Sequence, residues 1–261
     1  MAISKEKERH QDIFPVHDAW PADWRARIGI IVPSSDISSI PEQQSMLPKG
    51  VLLLATRGLL PNSTPEGQKR FAKDAFYAAE LLATAKPDVI AYNCIGSAVM
   101  MGAEYEANLI KKIEEVSGAK GCSAASSVIK ALEMLKVKKI VLVVPNVKEV
   151  MDAEADYLES FGLKVVYRET LGMNDPMKYA ARPPWENYSF ALNASRKAPP
   201  DAEAIVFYCG ALRTAEISEA LERATGKIVL SANLCNVWMF LKLAGIREPI
   251  YGYGSLLSRE R

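Results

Sequence analysis

Two short stretches decide the predicted fold: DVIAYNCIG at residues 88–96 and AIVFYCGA at residues 204–211. Each contains a continuous apolar run that leads to a cysteine, Cys94 or Cys209, with small residues close behind. Such runs are typical of strands that are buried on both faces of a parallel sheet. Because helical patterns alternate with runs of this kind along the chain, we predict an α/β fold with parallel strands.

The other strands and the helices follow from the same patterns. The predicted strands cover 27–33, 51–56, 88–94, 139–145, 163–168, 204–209 and 227–232. Thr64 and Pro65 suit the N-cap and first turn of a long helix, and Gly118 suits the C-cap of another. Residues 177–190 are rich in proline and aromatic side chains, which predicts a loop with at most a short helix.

An internal repeat relates the two parts of the chain. RIGIIVPS from residue 27 resembles KIVLVVPN from 139, and CSAASSVIKALEML from 122 resembles LSANLCNVWMFLKL from 230. Together with the two cysteine segments, these matches occur in one order, at offsets of 112, 115 and 108 residues. We therefore predict two similar Rossmann-like parallel-sheet domains, related by pseudo-two-fold symmetry, with the active site in the cleft between them. The predicted units are an N-terminal arm at 1–26, a first half at 27–124 plus 234–261, and a second half at 125–233.

Composition excludes several classes of protein. Lys and Arg number 32 against 31 Asp and Glu, and the resulting net charge of +1 gives no electrostatic footprint for nucleic acid. No apolar run reaches the roughly 20 residues of a membrane span. The N-terminus lacks the apolar region of a signal peptide, so we expect a cytoplasmic protein with reduced cysteines. Trp20 and Trp24 suggest that the arm docks on its own body or on a second subunit, and we expect a homodimer or homotetramer.

Histidine is nearly absent from the sequence, which limits the kinds of catalytic and metal site that the protein can have. The two histidines, His10 and His17, both lie in the N-terminal arm. This distribution argues against a Ser-His-Asp triad, a Cys-His pair or a His-rich metal site. Acid–base chemistry near neutral pH is therefore left to cysteine, aspartate or glutamate.

The chain has four cysteines, Cys94, Cys122, Cys209 and Cys235, and none forms a C-x-x-C pair. A free cysteine usually behaves as a buried apolar side chain, and that interpretation stands for Cys122 and Cys235. Cys94 and Cys209 differ because the repeat places each at the carboxyl end of a strand, where open α/β sheets bind ligands. The small residues behind them leave backbone N–H groups free to bind an anion. The sequence thus predicts a small carboxylate held between two thiols.

Two loops are expected to face the same cleft, because each follows the first strand of its half. They contain Ser34, Ser35 and Asp36 in the first half and Asn146 in the second. Turn propensity alone also explains these residue types at these positions.

The cysteine segments resemble the aspartate/glutamate racemase superfamily, and within it the branch of maleate cis-trans isomerase and arylmalonate decarboxylase. The resemblance covers about residues 25–258 and is carried by RIGIIVPSSD, AYNCIGSA, YCGALRTAEI, SANLCNVWMFLKLAGI and YGYGSLL. It implies that Cys94 and Cys209 are catalytic. It further implies a substrate-binding set of Ser34, Ser35, Asp36, Ile95, Gly96, Ser97, Asn146, Gly210, Ala211 and Leu212.

Within that branch, decarboxylases keep only the second cysteine, whereas isomerases and racemases have both. The resemblance therefore implies an isomerase of a small dicarboxylic acid, with maleate to fumarate as the reference, that needs neither a metal nor an organic cofactor. Cys94 would add to the double bond as a thiolate and Cys209 would exchange a proton. Amides at helix N-termini are expected to lower the thiol pKa. Asp36 and Asn146 stand where maleate isomerases usually have Asn and Tyr, which suggests an altered substrate.

Three alternatives stay open at this point. The same two thiols could exchange a proton on opposite faces of a carbon α to a carboxylate, as in a two-cysteine racemase or epimerase. An arylmalonate-type decarboxylase would use Cys209 alone. A non-catalytic protein could bind a small acid in the same cleft.

Overall fold

The computed structural model describes residues 25–259, so the predicted N-terminal arm lies outside the described residues except for Arg25 and Ala26. Eight strands in this part of the chain form two four-stranded parallel sheets. The first sheet contains β1 (Ala26–Pro33), β2 (Val51–Gly58), β3 (Val89–Tyr92) and β4 (Lys120–Ser123). The second contains β5 (Lys139–Val144), β6 (Lys164–Thr170), β7 (Ala204–Phe207) and β8 (Ile228–Ser231).

Ten helices in the described residues connect these strands. The first five are α1 (Ser39–Met46), α2 (Pro65–Ala83), α3 (Ile95–Met101), α4 (Ala103–Ser117) and α5 (Ala124–Met134). The others are α6 (Lys148–Ser160), α7 (Pro176–Ala180), α8 (Pro184–Lys197), α9 (Ala215–Thr225) and α10 (Ala232–Leu243). Within residues 25–259, none of the helices has both the length and the apolar composition that crossing a membrane requires.

The two sheets have the same strand order, β2-β1-β3-β4 and β6-β5-β7-β8. Cys94 lies two residues after the end of β3, and Cys209 lies two residues after the end of β7. Ser123 and Ser231 end β4 and β8, and the hydroxyl of each accepts a hydrogen bond from a backbone N–H in the following helix. The predicted α/β fold with two similar parallel-sheet halves is therefore confirmed, whereas the exact domain boundaries stay a prediction.

Burial explains why the central strands are unbroken apolar runs. Residues 140–144 of β5 are fully buried, as are Ile28, Ile30 and Ile31 of β1. A parallel strand covered by helices on both faces has no solvent side on which a polar residue would be tolerated. The edge strand β2 is partly exposed, and it contains the charged residue Arg57.

The two helix ends predicted from capping residues are confirmed. The hydroxyl of Thr64 accepts a hydrogen bond from the N–H of Gly67 at 3.2 Å, which caps α2. Gly118 ends α4 with a φ of 68°, the left-handed conformation that glycine adopts without strain.

Residues 177–190 are largely helical, so the predicted loop is wrong there. They belong mostly to α7 and to α8, which is 14 residues long. Pro176 and Pro184 stand in the first turns of these helices, where a proline loses no hydrogen bond. Asp175 caps α7 by accepting a hydrogen bond from the N–H of Met177 at 3.0 Å. The prolines therefore start helices here and do not break one.

β4 is absent from the predicted strands because it contains a single apolar side chain, that of Cys122. Its strand conformation depends on pairing with β3 and on close packing of α4. A Cβ at Gly121 would lie 2.8 Å from Cγ2 of Ile110, so glycine permits this approach. These contacts join β4 to residues elsewhere in the chain, so they leave no periodic pattern in the sequence of β4 itself.

Candidate active site

One cavity of about 50 Å³ lies where β1, β3, β5 and β7 end. Its lining comes from the segments that follow these strands, from Leu60 and Ser63 after β2, and from residues of α2, α5, α6 and α7. Both sheets thus direct their carboxyl ends at one space, as is usual for ligand sites in open α/β sheets. Nine predicted site residues line it: Ser35, Asp36, Cys94, Ile95, Gly96, Asn146, Cys209, Gly210 and Ala211.

Three predicted substrate-binding residues do not line the cavity. The hydroxyl of Ser34 accepts a hydrogen bond from the N–H of Leu60 at 2.9 Å and lies on the outer side of its loop. The hydroxyl of Ser97 is buried and donates to the backbone carbonyl of Gln68 at 3.0 Å. Leu212 is fully buried in the apolar core beside the second sheet. All three side chains stabilise the walls of the site from behind.

Cys94 is the N-cap residue of α3. Its Sγ donates a hydrogen bond to Oε1 of Gln68 at 3.3 Å. A Cβ on Gly96 would lie 2.7 Å from Nε2 of Gln68, so a larger residue at position 96 would displace the amide that accepts from the Cys94 thiol. Burial raises the pKa of the Cys94 thiol to about 12, and the backbone N–H of Ser97 acts in the opposite direction. The thiol is therefore protonated at neutral pH.

Cys209 occupies the equivalent place after β7 and is less buried than Cys94. Burial raises the pKa of its thiol as well, while the backbone N–H of Ala211 lowers it. The backbone amides thus act on both thiols in the predicted direction, but desolvation of the thiolate outweighs them. The predicted net lowering of the thiol pKa is wrong for this structure.

Asp36 lines the cavity, but its carboxylate is bound by the start of α1. Oδ1 accepts hydrogen bonds from the N–H groups of Ser38 at 2.9 Å and Ser39 at 2.8 Å. Oδ2 accepts a hydrogen bond from the hydroxyl of Ser39 at 2.5 Å. Arg57 donates to the backbone carbonyl of Asp36 at 2.7 Å and fixes the loop. The carboxylate therefore caps a helix, a position where a negative charge is stabilised.

Asn146 directs its side chain at a buried carboxyl group on α6. Its Nδ2 donates a hydrogen bond to Oε1 of Glu154 at 3.3 Å. Glu154 is fully buried, lines the cavity, and has no hydrogen-bond partner for Oε2. Burial raises the pKa of Glu154 well above its usual value, and no charged partner offsets the effect. The hydrogen bond from Asn146 lowers the pKa, but burial is the larger effect and favours the protonated carboxyl group.

Glu154 is the functional candidate that the sequence analysis leaves out, although a signal for it exists. On α6 the residues Val150, Met151, Ala155 and Leu158 are buried and recur at helical spacing. Glu154 falls in the middle of this apolar face. An acidic residue at a core position is rarely buried without a partner, which marks it as a candidate for function.

Four polar side-chain atoms around the cavity are buried and lack a hydrogen-bond partner within the described protein. They are Ser35 Oγ, Asn93 Nδ2, Glu154 Oε2 and Tyr208 Oη. Asn93 and Tyr208 are equivalent in the repeat, because each directly precedes a cavity cysteine. A buried polar atom without a partner is costly, and a set of them around one cavity points to a polar ligand.

The lining contains no lysine, arginine or histidine among the described residues. A substrate carboxylate would therefore be bound by backbone N–H groups and neutral side-chain donors. Across residues 25–259, no group of three or more His, Cys, Asp or Glu side chains is placed to hold a metal ion.

Comparison with known proteins gives one consistent family. The profile of the arylmalonate decarboxylase family matches residues 28–257. The maleate isomerase of Geobacillus stearothermophilus is 26% identical over 246 residues, which cover 89% of this chain and 97% of that protein. The arylmalonate decarboxylase of Bordetella bronchiseptica is 24% identical over 230 residues, which cover 88% of this chain and 95% of that protein.

Solved structures of these enzymes have the same fold. The maleate isomerase of Pseudomonas putida has a TM-score of 0.84 at 24% identity and covers 89% of this chain and 98% of that one. The maleate cis-trans isomerase of Nocardia farcinica, solved with a covalently bound succinylcysteine intermediate, has a TM-score of 0.84 at 23% identity. That match covers 90% of this chain and 99% of the Nocardia chain. The predicted resemblance is confirmed, and because the family profile spans nearly all described residues, the chain belongs to the arylmalonate decarboxylase family.

Proposed function

We propose that the protein is a cofactor-independent isomerase of small unsaturated dicarboxylic acids, with the conversion of maleate to fumarate as the reference reaction. The observation that carries this proposal is the convergence of Cys94 and Cys209, from equivalent strand ends, on one small cavity. Two thiols in a shared cleft supply one nucleophile and one proton donor, which is what the addition and removal of a thiol across a double bond require.

The reaction begins when Cys94, after loss of its proton to solvent, adds as a thiolate to one carbon of the double bond. The π electrons move onto the carboxylate of the other carbon, which becomes an aci-carboxylate, and the former double bond can rotate. Cys209 donates its proton to that carbon, giving a succinyl thioether on Cys94. After rotation, the Cys209 thiolate removes the proton, the C–S bond breaks, and the trans product leaves with Cys94 again a thiolate.

The small residues behind each thiol stabilise the negative charge that develops. Backbone N–H groups at Gly96, Gly210 and Ala211 bind the carboxylate oxygens, and the hydroxyl of Ser35 supplies a further donor. These roles are supported by the position of all four residues in the cavity lining.

The relatives support the same chemistry. The proteins from Geobacillus stearothermophilus and Pseudomonas putida are maleate isomerases, and both match about nine-tenths of this chain. The Nocardia farcinica enzyme holds a succinylcysteine, which is the adduct that the proposed scheme forms on Cys94.

Decarboxylation of a substituted malonate is the second candidate, because the family and the Bordetella bronchiseptica relative take their name from it. That reaction needs Cys209 alone and leaves Cys94 without a role. A cavity of about 50 Å³ holds only a few water-sized groups, since each water needs roughly 10–15 Å³ by the same measure. This space favours a four-carbon acid over an aryl-substituted one.

Proton NMR of the protein with maleate tests the proposal, because the vinyl signals of maleate and fumarate are resolved. We expect fumarate to accumulate, and intact mass spectrometry of Cys209→Ala to detect a substrate-sized adduct on Cys94. Conversion of an arylmalonate with no change in maleate would favour the decarboxylase. Deuterium exchange into a saturated α-substituted acid, without isomerisation, would favour the racemase. Unreactive thiols and ligand binding alone would indicate a binding protein.

The proposal includes a cytoplasmic homodimer or homotetramer. The free state of all four cysteines is in keeping with a reducing compartment. Light scattering coupled to size-exclusion chromatography tests the assembly, and a monomer at micromolar concentration would contradict it.

A further inference from the structure

We propose that Glu154 and Tyr208 together bind one acyl oxygen of the substrate, with Glu154 donating the hydrogen bond from a neutral carboxyl group. This inference rests on the proposed function, since it assigns one end of the acid that Cys94 and Cys209 transform. It makes Glu154 the residue that selects the substrate's second acyl group.

The first step of the argument is the position of the Glu154 carboxyl group. The side chain projects from the buried face of α6 and lines the cavity. Oε1 accepts the hydrogen bond from Asn146, whereas Oε2 is buried and has no partner among the described residues. A buried carboxyl oxygen without a partner is costly, and a ligand in the cavity that Glu154 lines would supply one.

The second step locates the proton. Because the N–H of Asn146 already donates to Oε1, a proton on the carboxyl group resides on Oε2. The oxygen without a partner is then an O–H donor on a residue that lines the cavity, and its natural partner is an acceptor such as a carbonyl or carboxylate oxygen. Burial without a cation raises the pKa of Glu154, which favours this protonated form.

The third step is the neighbouring hydroxyl. Tyr208 is fully buried, lines the same cavity, and its Oη has no hydrogen-bond partner in the described protein. Burial also keeps this phenol neutral by raising its pKa well above the usual value. A tyrosine and a neutral carboxylic acid can hold one oxygen between them, as in the ketosteroid isomerase oxyanion site.

None of the charged groups on the described elements that pack against α6 forms an ion pair with Glu154. The titratable groups that share the cavity with it are Asp36, Cys94, Tyr179, Tyr208 and Cys209. Behind α6, Tyr157 donates a hydrogen bond to Glu106 of α4. The charged and titratable residues of β6, which packs on α6, are Lys164, Tyr167, Arg168 and Glu169, and α3 has none. Arg168 pairs with Asp152 on the outer face of α6, and none of the basic side chains lines the cavity.

Equilibrium binding of succinate by calorimetry tests the inference without requiring turnover, because this saturated diacid has no double bond to isomerise. The wild type is compared with Glu154→Gln and Glu154→Ala from pH 6 to the highest pH at which the protein stays folded. Asp156→Asn is the matched control, since Asp156 is an exposed carboxylate on the same helix. Tyr208→Phe tests the second donor.

Glu154→Gln keeps a donor at the Oε2 position at every pH, because its amide oxygen can still face Asn146. We therefore expect wild-type affinity to fall by about tenfold or more once the pH exceeds the raised pKa of Glu154, and the affinity of Glu154→Gln to fall much less. Glu154→Ala and Tyr208→Phe should each bind about tenfold more weakly at pH 6, while Asp156→Asn should match the wild type.

The inference is overturned by wild-type affinity in Glu154→Ala at pH 6, or by a loss of wild-type affinity at high pH that Glu154→Gln shares in full. It is also overturned if the wild type shows no succinate binding at pH 6. Should Glu154→Ala fail to fold, the comparison of Glu154→Gln with the wild type decides. If succinate binding follows Glu154 but no maleate is converted, the proposed function fails while this assignment stands.

Discussion

Helices α1 and α6 follow the first strand of each sheet, yet the acidic residues associated with them behave in opposite ways. Asp36, at the start of α1, has both carboxylate oxygens bound by N–H and O–H donors of Ser38 and Ser39. Glu154, within α6, lines the cavity and has one oxygen bound, while the other is buried and has no partner among the described residues. The difference indicates separate roles. Asp36, whose hydrogen bonds are complete, stabilises the start of α1, whereas Glu154 has an oxygen available to a ligand.

The two thiols extend the comparison. Cys94 and Cys209 stand at equivalent positions of a duplicated fold, and a backbone N–H acts on each sulfur, but Cys94 also donates to a side chain, at Oε1 of Gln68. Their preceding residues also differ, since Asn93 is an amide and Tyr208 a phenol. The duplicated fold therefore determines where the two sulfur atoms lie, while the side chains around Cys94 and Cys209 give the two thiols different environments.

The largest expected effect comes from replacing each of the two cysteines in turn. Cys94→Ala removes the nucleophile, and we expect maleate conversion to fall by about 10³-fold or more. Cys209→Ala removes both the proton donor and the base, so an adduct that solvent protonates should remain on Cys94. Steady-state NMR rates and intact mass spectra measure both effects.

Cys122→Ala is the control for that experiment, because Cys122 is buried in β4 away from the cavity lining. It should keep wild-type turnover at a temperature where it is folded. If Cys94→Ala retained turnover and Cys209→Ala did not, the assignment of the nucleophile would be reversed.

The next effect is the pH dependence of kcat/KM. The thiol pKa is raised in both halves, to about 12 at Cys94, so the thiolate fraction grows about tenfold per pH unit below that value. In Glu154→Gln we therefore expect kcat/KM to keep rising from pH 6 to pH 9. In the wild type the rise should level off once Glu154 loses its proton, because the gain in thiolate is offset by the loss of the donor.

Initial rates with maleate across that pH range, in one constant-ionic-strength buffer, provide the measurement. A profile that is flat in Glu154→Gln would mean that the thiols ionise well below pH 9. Burial would then no longer be the dominant influence on the Cys94 and Cys209 pKa values.

A smaller effect is expected from the glycines behind the thiols. Gly96→Ala places a Cβ 2.7 Å from Nε2 of Gln68, so the partner of the Cys94 thiol must move. Gly210→Ala meets the hydroxyl oxygen of Ser39 at 3.0 Å, a milder clash. We expect Gly96→Ala to lower kcat/KM about tenfold and to destabilise the fold by about 1–3 kcal/mol, with smaller losses for Gly210→Ala. Urea denaturation measures the stability of each variant, and initial rates measure its kcat/KM. Equal losses in Gly96→Ala and Gly210→Ala would indicate that the position of Gln68 does not matter.

The positions of the two thiols could be predicted from the sequence because the repeat constrains them. Strand ends of a parallel sheet meet at one edge, and the spacing of Cys94 and Cys209 within matched segments placed them there without any tertiary information. The resemblance also implies a substrate-binding role for Leu212, but the side chain of Leu212 does not line the cavity. Leu212 lies close to Cys209 in the chain, but its side chain enters the apolar core of the second sheet.

Glu154, Gln68 and Tyr179 could not be placed in the site from the sequence. They lie on α6, α2 and α7, and their distance from the thiols depends on how those helices pack across the strand ends. The sequence records only that Glu154 interrupts an apolar helix face. Whether such a residue is paired, solvated or aimed at a cavity is decided by tertiary contacts.

The smallest expected effect separates the two carboxyl groups most directly. Asp36→Asn keeps one oxygen that can accept from the N–H groups of Ser38 and Ser39, and its new N–H₂ can donate to the hydroxyl oxygen of Ser39. That hydroxyl can in turn donate to the carbonyl of Gly210, which it already reaches at 3.0 Å. We therefore expect a loss of only about 0.5–1 kcal/mol in the free energy of unfolding, at the lower end for a helix cap. Succinate affinity should keep its wild-type pH dependence, in contrast to Glu154→Gln. If neutralising Asp36 instead removed that pH dependence, the titrating carboxyl group would lie in the first half of the molecule, and the distinction between α1 and α6 would have to be inverted.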